Sequence, residues 1–378
     1  MLLLKWELQF PPLLYKLEVM ELRKEKLQEL INNELVTLPW YVEEYYYAKL
    51  SVPYSLATLY EYLKEYRRFF NWLLSEAIVK EEKISLVPLS ALENLKKEDV
   101  ELFKSSLLSR QKLNSSDTNE ALSYNTVKRT MASLSSLFNY LTTETEKEDG
   151  NSYFDRNVML KVKSVKTNET FSSRAAAIKE KLFLGDESMG YLNFIEYDYP
   201  KSISLKQLPY YKKSLERDLA INALILGTGL RVSEAANINI NDLNLATNTV
   251  SVIRKGGKKD SVIIAPFAMV YLDNYLTVRT QRYAPEKNEK ALFLTTYKKT
   301  AKRIETDTIE KMVAKYSTKF KTRVTPHKMR HTLATKLYQV TKNQMTVSNQ
   351  LGQSSLSATA LYIHIIDDEQ RDSMNSIE

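Results

Sequence analysis

The sequence predicts a mainly α-helical protein of about two domains, and three observations support this fold class. The chain has 378 residues, which is enough for about two domains of ordinary size. It contains only eight glycines, none of them in the first 149 residues, and this scarcity favours long helices over turn-rich β architecture. Apolar residues also recur at helical spacing over long stretches of the chain.

The first region, which ends near residue 155, has the pattern of an all-α domain. A charged amphipathic helix is predicted over 20–34, and a strong helix follows over 55–76. Residues 112–124 are polar and predict a loop. A last helix is predicted over 125–143, with the following residues on one face: Val127, Met131, Leu134, Leu137 and Leu141.

The second region, residues 176–378, is predicted to combine helices with a small β-sheet. An apolar helix over 215–226 is broken by a Gly-Thr-Gly sequence. Two β-rich runs within 250–264 flank a Gly-Gly pair, and this arrangement predicts a hairpin. The remaining predicted helices span 266–280, 307–320, 327–340 and 344–351.

Charge is distributed unevenly around a basic segment, residues 156–175, which we interpret as an interdomain linker. Residues 1–155 contain 19 Lys or Arg against 24 Asp or Glu, whereas residues 175–378 contain 30 against 21. A basic C-terminal half suits a polyanion such as nucleic acid, although a solvated basic surface explains it equally well. The linker would follow a phosphate backbone in the first case and only aid solubility in the second.

Composition argues against several other classes of protein. The chain has no cysteine and three histidines, so neither disulfides nor a thiolate or histidine metal cage is expected. No stretch approaches the roughly 20 apolar residues of a membrane span, and the apolar run at the N-terminus is too short for a signal peptide. A cytoplasmic protein without membrane insertion is therefore expected. Met20 is a second plausible start, which would make residues 1–19 an extension.

Two cationic groups in the C-terminal half are candidate phosphate ligands or proton donors. Arg231 follows the Gly-Thr-Gly turn at the predicted start of a helix, where backbone amides favour an anion. Glu234 lies three residues later, and it either orients Arg231 or caps the helix, a structural role that we favour. Lys255 lies at the hairpin tip beside Lys258 and Lys259, and spacing alone does not choose a proton donor among the three.

A histidine, an arginine and a tyrosine complete this set. His327 and Arg330 are three residues apart on a predicted helix, so they share one face and can reach one phosphate. His331 is expected to point to a different side and to have a structural role. Tyr362 is one of 24 tyrosines and is distinguished only by its position after Arg330 and Gly352. Together, the cations, the histidine and the late tyrosine suit attack by a phenolic oxygen on a phosphodiester.

The order and spacing of these residues resemble those of the tyrosine recombinase family. The phrases TPHKMRHTLAT and LGQSSLSATALYIHI are similar to those of its Xer branch, and the similarity covers nearly all of the chain after Met20. The family pattern is Arg, Lys, His-x-x-Arg, His or Trp, then Tyr. The positions that match it here are Arg231, Lys255, His327, Arg330, Gln353 and Tyr362.

The resemblance implies a fold and a mechanism. It implies an N-terminal all-α core-binding (SAM-like) domain over 20–155 and a mostly helical catalytic domain over 176–378 with a small β-sheet. Segment 366–378 resembles a tail that docks on a neighbouring protomer. Tyr362 would form a 3′-phosphotyrosyl bond, and His327 is also a candidate to take its proton. Lys255 would protonate the leaving 5′ oxygen, and the transition state would be stabilised by Arg231, Arg330, His327 and Gln353. Neither ATP, metal nor other cofactor is implied.

The resemblance also implies partners and a cellular role. The expected assembly is a homotetramer on two double-stranded DNA sites. The expected role is resolution of chromosome dimers at a dif-like site, assisted by a septal DNA translocase of the FtsK type. Three alternatives remain at this point: an integrase of a mobile element, a DNA-binding regulator without cleavage activity, and a relaxing enzyme similar to type IB topoisomerases.

One position departs from the family pattern. The family usually has His or Trp where this chain has Gln353. The Gln side chain has an NH₂ donor of similar reach but no positive charge. We therefore expect activity to be retained but slower, because losing one such donor typically costs about 10²–10³ in rate.

Overall fold

The computed structural model describes residues 25–52, 54–109, 122–164, 171–254, 257–298 and 300–353, together with residues 362, 365 and 377. The chain divides into two compact units, Met1–Asn168 and Glu169–Glu378. Each unit has a hydrophobic core of its own. The predicted fold class is confirmed: the described chain is mainly helical with small antiparallel β-sheets.

In the described residues of the first unit, the regular secondary structure is entirely helical. Its α-helices are α1 (25–35), α2 (Trp40–Leu50), α3 (Leu56–Ser75), α4 (Leu89–Glu93), α5 (Lys97–Ser109) and α6 (Tyr124–Asn139). Short 3₁₀ helices span Ile84–Leu86 and Val158–Lys161. The two long amphipathic helices, α3 and α6, begin at serines that cap them: Ser55 accepts a hydrogen bond from the Thr58 N–H, and Ser123 accepts one from the Thr126 N–H.

Helix α6 confirms the periodicity that predicted it. All five residues of the predicted apolar face are buried, because residues three and four apart lie on one side of a helix. The α-helix ends at Asn139 and continues as one π-helical turn, Tyr140–Glu144. The predicted loop over 112–124 lies outside the described residues up to 121.

The start of the predicted linker is packed chain rather than a connection between domains. Val158 and Met159 are buried in the core of the first unit, and the Arg156 guanidinium donates a 2.8 Å hydrogen bond to the Leu95 carbonyl. The linker prediction over 156–175 was therefore too long at this end, since apolar side chains within it pack against the helices. Residues 165–170 lie outside the described part, and a helix begins again at Phe171.

The second unit contains eight α-helices and two small sheets in its described residues. The helices are α7 (Phe171–Lys179), α8 (Glu187–Asn193), α9 (Leu208–Thr228), α10 (Val232–Asn237), α11 (Pro266–Tyr283), α12 (Thr306–Phe320), α13 (Pro326–Thr341) and α14 (Gln344–Leu351). A π-helical turn spans Phe194–Asp198, and 3₁₀ helices span Tyr199–Ser202 and Ile240–Asp242. The strands are β1 (Leu243–Asn244), β2 (Thr249–Ile253), β3 (Lys259–Ile263), β4 (Leu294–Tyr297) and β5 (Thr300–Arg303).

Helix α9 is the central element of this unit. Its C-terminal half is buried on every side, as expected for a helix that is apolar all round. A Cβ at Gly227 would lie 2.8 Å from the Ala268 Cβ, so glycine permits the close approach of α11. The helix ends with Gly229 in the left-handed conformation at φ +69°. This turn directs the chain towards Arg231.

The predicted hairpin is present as β2 and β3. The strands are antiparallel, with Ile253 opposite Lys259 at the end nearest the tip. Strand β1 extends this sheet in the order β1-β2-β3, and β4 and β5 form a second sheet that the sequence did not predict. Lys255 and Gly256, at the hairpin tip, lie outside the described residues.

Candidate active site

Arg231 immediately precedes α10 and is held by the carboxylate of Glu234. Its backbone N–H donates to Glu234 Oε2 at 2.8 Å, and its Nη1 donates to Glu234 Oε1 at 2.8 Å. One carboxylate therefore caps the helix and also orients the guanidinium, so both roles considered for Glu234 are present. The Arg231 side chain remains about a third exposed, at 36%, so its charge is available to a ligand.

A second arginine, Arg254, connects α10, β3 and α14. Its side chain is buried, and each guanidinium nitrogen donates to a different partner. Nη1 donates to Glu234 at 3.0 Å, Nε to Asp260 on β3 at 2.9 Å, and Nη2 to the Gln350 carbonyl on α14 at 3.1 Å. A Cβ at Gly352 would lie 2.5 Å from Arg254 Nε, so this contact requires glycine at the end of α14.

Arg330 projects from α13 and is almost wholly buried. Its Nη1 donates to the Gly229 carbonyl at 2.6 Å, and its Nη2 donates to the Leu351 carbonyl at 2.8 Å. Each of these nitrogens carries a second proton, so the guanidinium can bind an anion while keeping both bonds. Burial and the positive charge of Arg231 lower the pKa of Arg330 to about 10. It therefore remains charged at neutral pH.

Tyr362 is buried beside these groups, with 1% of its surface exposed. Its hydroxyl lies 3.0 Å from His331 Nδ1. Burial raises the pKa of the Tyr362 phenol above its ordinary value, although the charge of Arg330 and the nearby Gln353 side chain oppose this increase. The ring packs in a small apolar cluster with Ala175, Ile178, Leu182, Ala334, Val347, Leu351 and Ile365.

The expectation for His331 was wrong. His331 lies on the same side of α13 as His327, with their ring centroids 4.5 Å apart, and it is the histidine that contacts Tyr362. The reason is helical geometry: residues four apart are rotated by only about 40° around the axis, so they are neighbours. The i, i+4 spacing of the two histidines was the signal in the sequence that could have placed His331 on the same side of α13 as His327.

His327 is exposed near the start of α13, where Thr325 caps the helix. Partial removal of water around the ring, together with the charges of Arg330, Lys328 and Arg231, lowers its pKa below the ordinary 6.5. The imidazole is therefore neutral at pH 7. A neutral ring can donate one hydrogen bond, and it gains a proton more readily once a phosphate offsets the surrounding charge.

This lowered pKa leads to a direct prediction for the free protein. In a ¹H–¹³C NMR titration, we expect the resonance that disappears in His327→Gln to have a midpoint below 6.5. The midpoint should rise with added salt, because salt screens the neighbouring cations. Since a lowered pKa means that folding opposes protonation, charging His327 at acidic pH should destabilise the fold. A midpoint at or above 6.5 in low salt would contradict this environment.

Gln353 follows the glycine that ends α14. Its backbone is fixed at both ends, since its N–H donates to the Ser348 carbonyl at 3.0 Å and its carbonyl accepts from Ser348 Oγ at 2.7 Å. The side-chain Oε1 is buried without a hydrogen-bond partner among the described residues. The amide also hydrogen-bonds the Tyr362 side chain, a contact that lowers the pKa of the phenol. To bind a phosphate oxygen, it must present its NH₂ group.

Two of the three hairpin lysines lie within the described residues. Lys258 and Lys259 are exposed, and Lys259 begins β3. The prediction for Lys255 falls outside the described residues. Its neighbour Arg254 is firmly held, because the Arg254 N–H donates to the Lys258 carbonyl at 2.8 Å and Arg254 is bound to α14 as described above. The base of the hairpin is thus connected to the elements that carry the other candidates.

The described part of the site therefore brings together most of the residues predicted from sequence. A buried phenol lies beside a histidine, a buried arginine and a polar amide, and a second arginine is oriented by a carboxylate. This arrangement has the parts needed for attack by a phenolic oxygen on a phosphate: a nucleophile, an adjacent proton acceptor and fixed cations. No group of His, Cys, Asp or Glu that could hold a metal ion occurs in the described ranges.

Comparisons with known proteins show which family the chain resembles. Residues 203–369 match the sequence model of the phage integrase family. The chain is 52% identical over 356 residues to Tyrosine recombinase XerS of Streptococcus pneumoniae (strain P1031), which covers 94% of this chain and 100% of the relative. The same identity and coverage hold for Tyrosine recombinase XerS of Streptococcus gordonii (strain Challis).

Two solved structures have a similar fold at low sequence identity. XerH bound to a palindromic difH substrate, in a post-cleavage complex, matches with a TM-score of 0.60 at 21% identity, covering 85% of this chain and 79% of that chain. A λ integrase dimer bound to a COC′ core site matches with a TM-score of 0.55 at 12% identity, covering 86% and 95%. At these identities the likeness concerns the fold alone.

Proposed function

The chain belongs to the tyrosine recombinase family and is a site-specific DNA recombinase, and on that premise we propose that Tyr362 is its nucleophile. The observation that carries this assignment is the position of the Tyr362 hydroxyl, 3.0 Å from His331 Nδ1 and beside the charge of Arg330. Of the chain's many tyrosines, this one occupies the catalytic register after the His-x-x-Arg sequence. The phenol is buried in the free protein, so DNA binding has to open the site before attack.

In the proposed reaction, Tyr362 Oη attacks the scissile phosphorus and the 5′ oxygen leaves. The new bond is a 3′-phosphotyrosyl ester, and the released strand carries a 5′ hydroxyl. The ester retains the energy of the original phosphodiester, so rejoining by a 5′ hydroxyl requires no external energy source. Recombination follows when the attacking hydroxyl comes from the partner DNA site rather than from the original strand.

The other roles in this proposal follow from charge and position. Arg231 and Arg330 bind the non-bridging oxygens, because fixed guanidinium groups stabilise charge that develops in the transition state. His327 and Gln353 add hydrogen bonds, and Lys255 protonates the leaving oxygen. Support for the arginines comes from their fixed environments, in which Glu234 holds Arg231 and two backbone carbonyls hold Arg330.

The proposed partners are duplex DNA and further copies of the chain. Residues 175–378 contain 30 Lys or Arg against 21 Asp or Glu, and this excess of positive charge supports binding to phosphate. We propose a homotetramer on two DNA sites, with the tail 366–378 docking on a neighbouring protomer. All but one residue of that tail lie outside the described part of the chain.

The proposed cellular role is resolution of chromosome dimers at a dif-like site, assisted by a septal DNA translocase of the FtsK type. The 52% identity to relatives named Tyrosine recombinase XerS favours this role over integration of a mobile element. A role on the chromosome places the protein in the cytoplasm. None of the helices in the described ranges has the length and apolar character of a membrane span.

The test is to isolate the covalent intermediate. The protein is incubated with a dif-like duplex carrying a nick near the cleavage position, so that the short cleaved fragment dissociates and the adduct is trapped. We expect an SDS-stable adduct, and mass spectrometry of its peptides should find the nucleotide on Tyr362. A nucleotide on another tyrosine, or on a serine, would overturn the assignment.

Gln353→His, tested on the same duplex, shows how Gln353 affects cleavage. An adduct with this variant alone would mean that Gln353 impairs cleavage and that the natural chain acts chiefly as a DNA-binding protein. Equal, slow adduct formation in both proteins would mean that Gln is an adequate donor. If neither protein reacts, the cleavage position lies elsewhere in the duplex. Moving the nick stepwise along each strand would then locate it.

A further inference from the structure

The contact between Tyr362 and His331 identifies a group that can receive the proton of the nucleophile. The two side chains meet through Oη and Nδ1 at 3.0 Å, with their ring centroids 5.5 Å apart. His331 is half-buried, whereas Tyr362 is buried. Because Nδ1 accepts a hydrogen bond when the ring proton is on Nε2, the phenol can donate directly to this nitrogen.

A proton acceptor is needed at this position. Burial raises the pKa of the Tyr362 phenol, so the hydroxyl is protonated at neutral pH and is a weak nucleophile until its proton is removed. A base acts on it only within hydrogen-bond reach. His331 meets that condition in the free protein.

We propose that His331 is the general base that accepts the Tyr362 proton during cleavage and returns it during rejoining; this rests on the proposed role of Tyr362 as nucleophile. As the Oη–P bond forms, the proton moves from Oη to Nδ1. The P–O5′ bond breaks, and the 5′ oxygen takes a separate proton from the general acid. In the reverse step, a 5′ hydroxyl attacks phosphorus, and the His331 imidazolium protonates the departing phenolate.

The geometry favours His331 over His327 for this role. The His327 ring meets the His331 ring edge to face, with 4.5 Å between the centroids, and His327 is exposed at the start of α13. Partial burial of the His327 ring lowers its pKa, and the charges of Arg330, Lys328 and Arg231 lower it further. A histidine beside these cations is placed to donate a hydrogen bond to the phosphate that the two arginines bind. In this proposal His327 donates to the phosphate and His331 accepts the proton of the nucleophile.

The decisive experiment changes the acidity of the phenol. His331→Asn places an amide near the position of Nδ1, so it keeps a hydrogen-bond partner for Tyr362 but cannot act as a base. In single-turnover cleavage of the nicked duplex, we expect this variant to form adduct about 10²–10⁴-fold more slowly than the parent. Incorporating 3,5-difluorotyrosine at 362, whose phenol is more acidic, should recover at least tenfold of that loss.

The matched control is His327→Gln, also made with both tyrosines. The loss of cleavage rate in His327→Gln should remain when the fluorinated residue is present, because this substitution removes a phosphate donor rather than a base. Rates are expressed relative to the parent carrying the same tyrosine, because fluorination also weakens the nucleophile. Thermal unfolding and DNA binding of each variant confirm folding, and His331→Gln replaces the Asn variant if the latter is unstable.

Three results would overturn the proposal. His331→Asn could cleave at the parent rate, it could lose activity equally with both tyrosines, or the fluorinated residue could rescue His327→Gln to the same degree. Failure of the proposed function is distinguishable from these outcomes, because the parent protein itself would then form no adduct at Tyr362.

Discussion

Replacing Tyr362 with phenylalanine is expected to abolish the covalent protein–DNA adduct while leaving the fold and DNA binding nearly unchanged. The ring is packed in the apolar cluster against α13 and α14, and phenylalanine fills the same space. The lost hydroxyl contacts His331 Nδ1 and the Gln353 side chain, so the free energy of unfolding should fall by about 1–2 kcal/mol. Cleavage should become undetectable, because no oxygen remains to attack phosphorus.

Tyr338→Phe is the matched control. Tyr338 lies on α13 and packs against the same apolar cluster, so its variant loses a hydroxyl from the same region. We expect normal adduct formation from this control. Adduct formation is measured by SDS gel electrophoresis of a labelled duplex. More than a trace of adduct from Tyr362→Phe would show that another residue is the nucleophile. A loss of DNA binding in both variants would instead indicate a general defect in the unit.

Replacing Arg254 with methionine is expected to reduce both stability and cleavage. The substitution leaves the buried carboxylate of Glu234 with Arg231 alone and frees Asp260 and the Gln350 carbonyl. Removing one partner of a buried ion pair typically costs about 3–5 kcal/mol. Cleavage should slow by about 10²-fold in the folded variant, since Arg231, the hairpin and the end of α14 lose their common anchor and shift.

Arg279→Met provides the comparison for this prediction. Arg279 is equally buried, but its guanidinium donates to the carbonyls of Ala291 and Leu292 instead of to residues of the site. We expect it to lower the free energy of unfolding measured in urea, with cleavage by the folded protein unchanged. If the two variants cleave at equal rates under conditions where both are folded, Arg254 does not position the site.

Adding Glu234→Gln to Arg254→Met separates two causes of instability. If the unpaired buried charge dominates, the double variant should be more stable than the single one. Its cleavage should fall further, because the neutral amide holds Arg231 less firmly than the carboxylate does. This combination therefore connects the stability effect to charge and the rate effect to orientation.

Local sequence determined most of the secondary structure and the family. Amphipathic periodicity located α3 and α6, and the Gly-Gly pair between β-rich runs located the β2–β3 hairpin, because these features depend on residues close together in the chain. The spaced pattern that ends at Tyr362 identified the recombinase family. Where the structure describes the residues of this pattern, they lie near one another, and their individual roles stay predictions.

The errors of the sequence analysis have different physical origins. The side of α13 on which His331 lies was predicted wrongly although it depends on local geometry, since the i, i+4 relationship to His327 already placed the two rings together. The linker was drawn too long because burial of Val158 and Met159 depends on helices far away in the sequence. The second sheet, β4–β5, was not predicted at all, since its strands are only four residues each.

The sequence by itself determined which chemical groups this protein has and along which helices and strands they lie. Only the tertiary structure decided which groups meet. Arg330 is bound to a carbonyl 101 residues away, and Arg254 bridges to a carbonyl 96 residues away. Helical periodicity and turn preferences act over a few residues, whereas these contacts form only when α9, α13, α14 and the hairpin pack together. The buried arginines are therefore recognisable as parts of the site only in the folded protein.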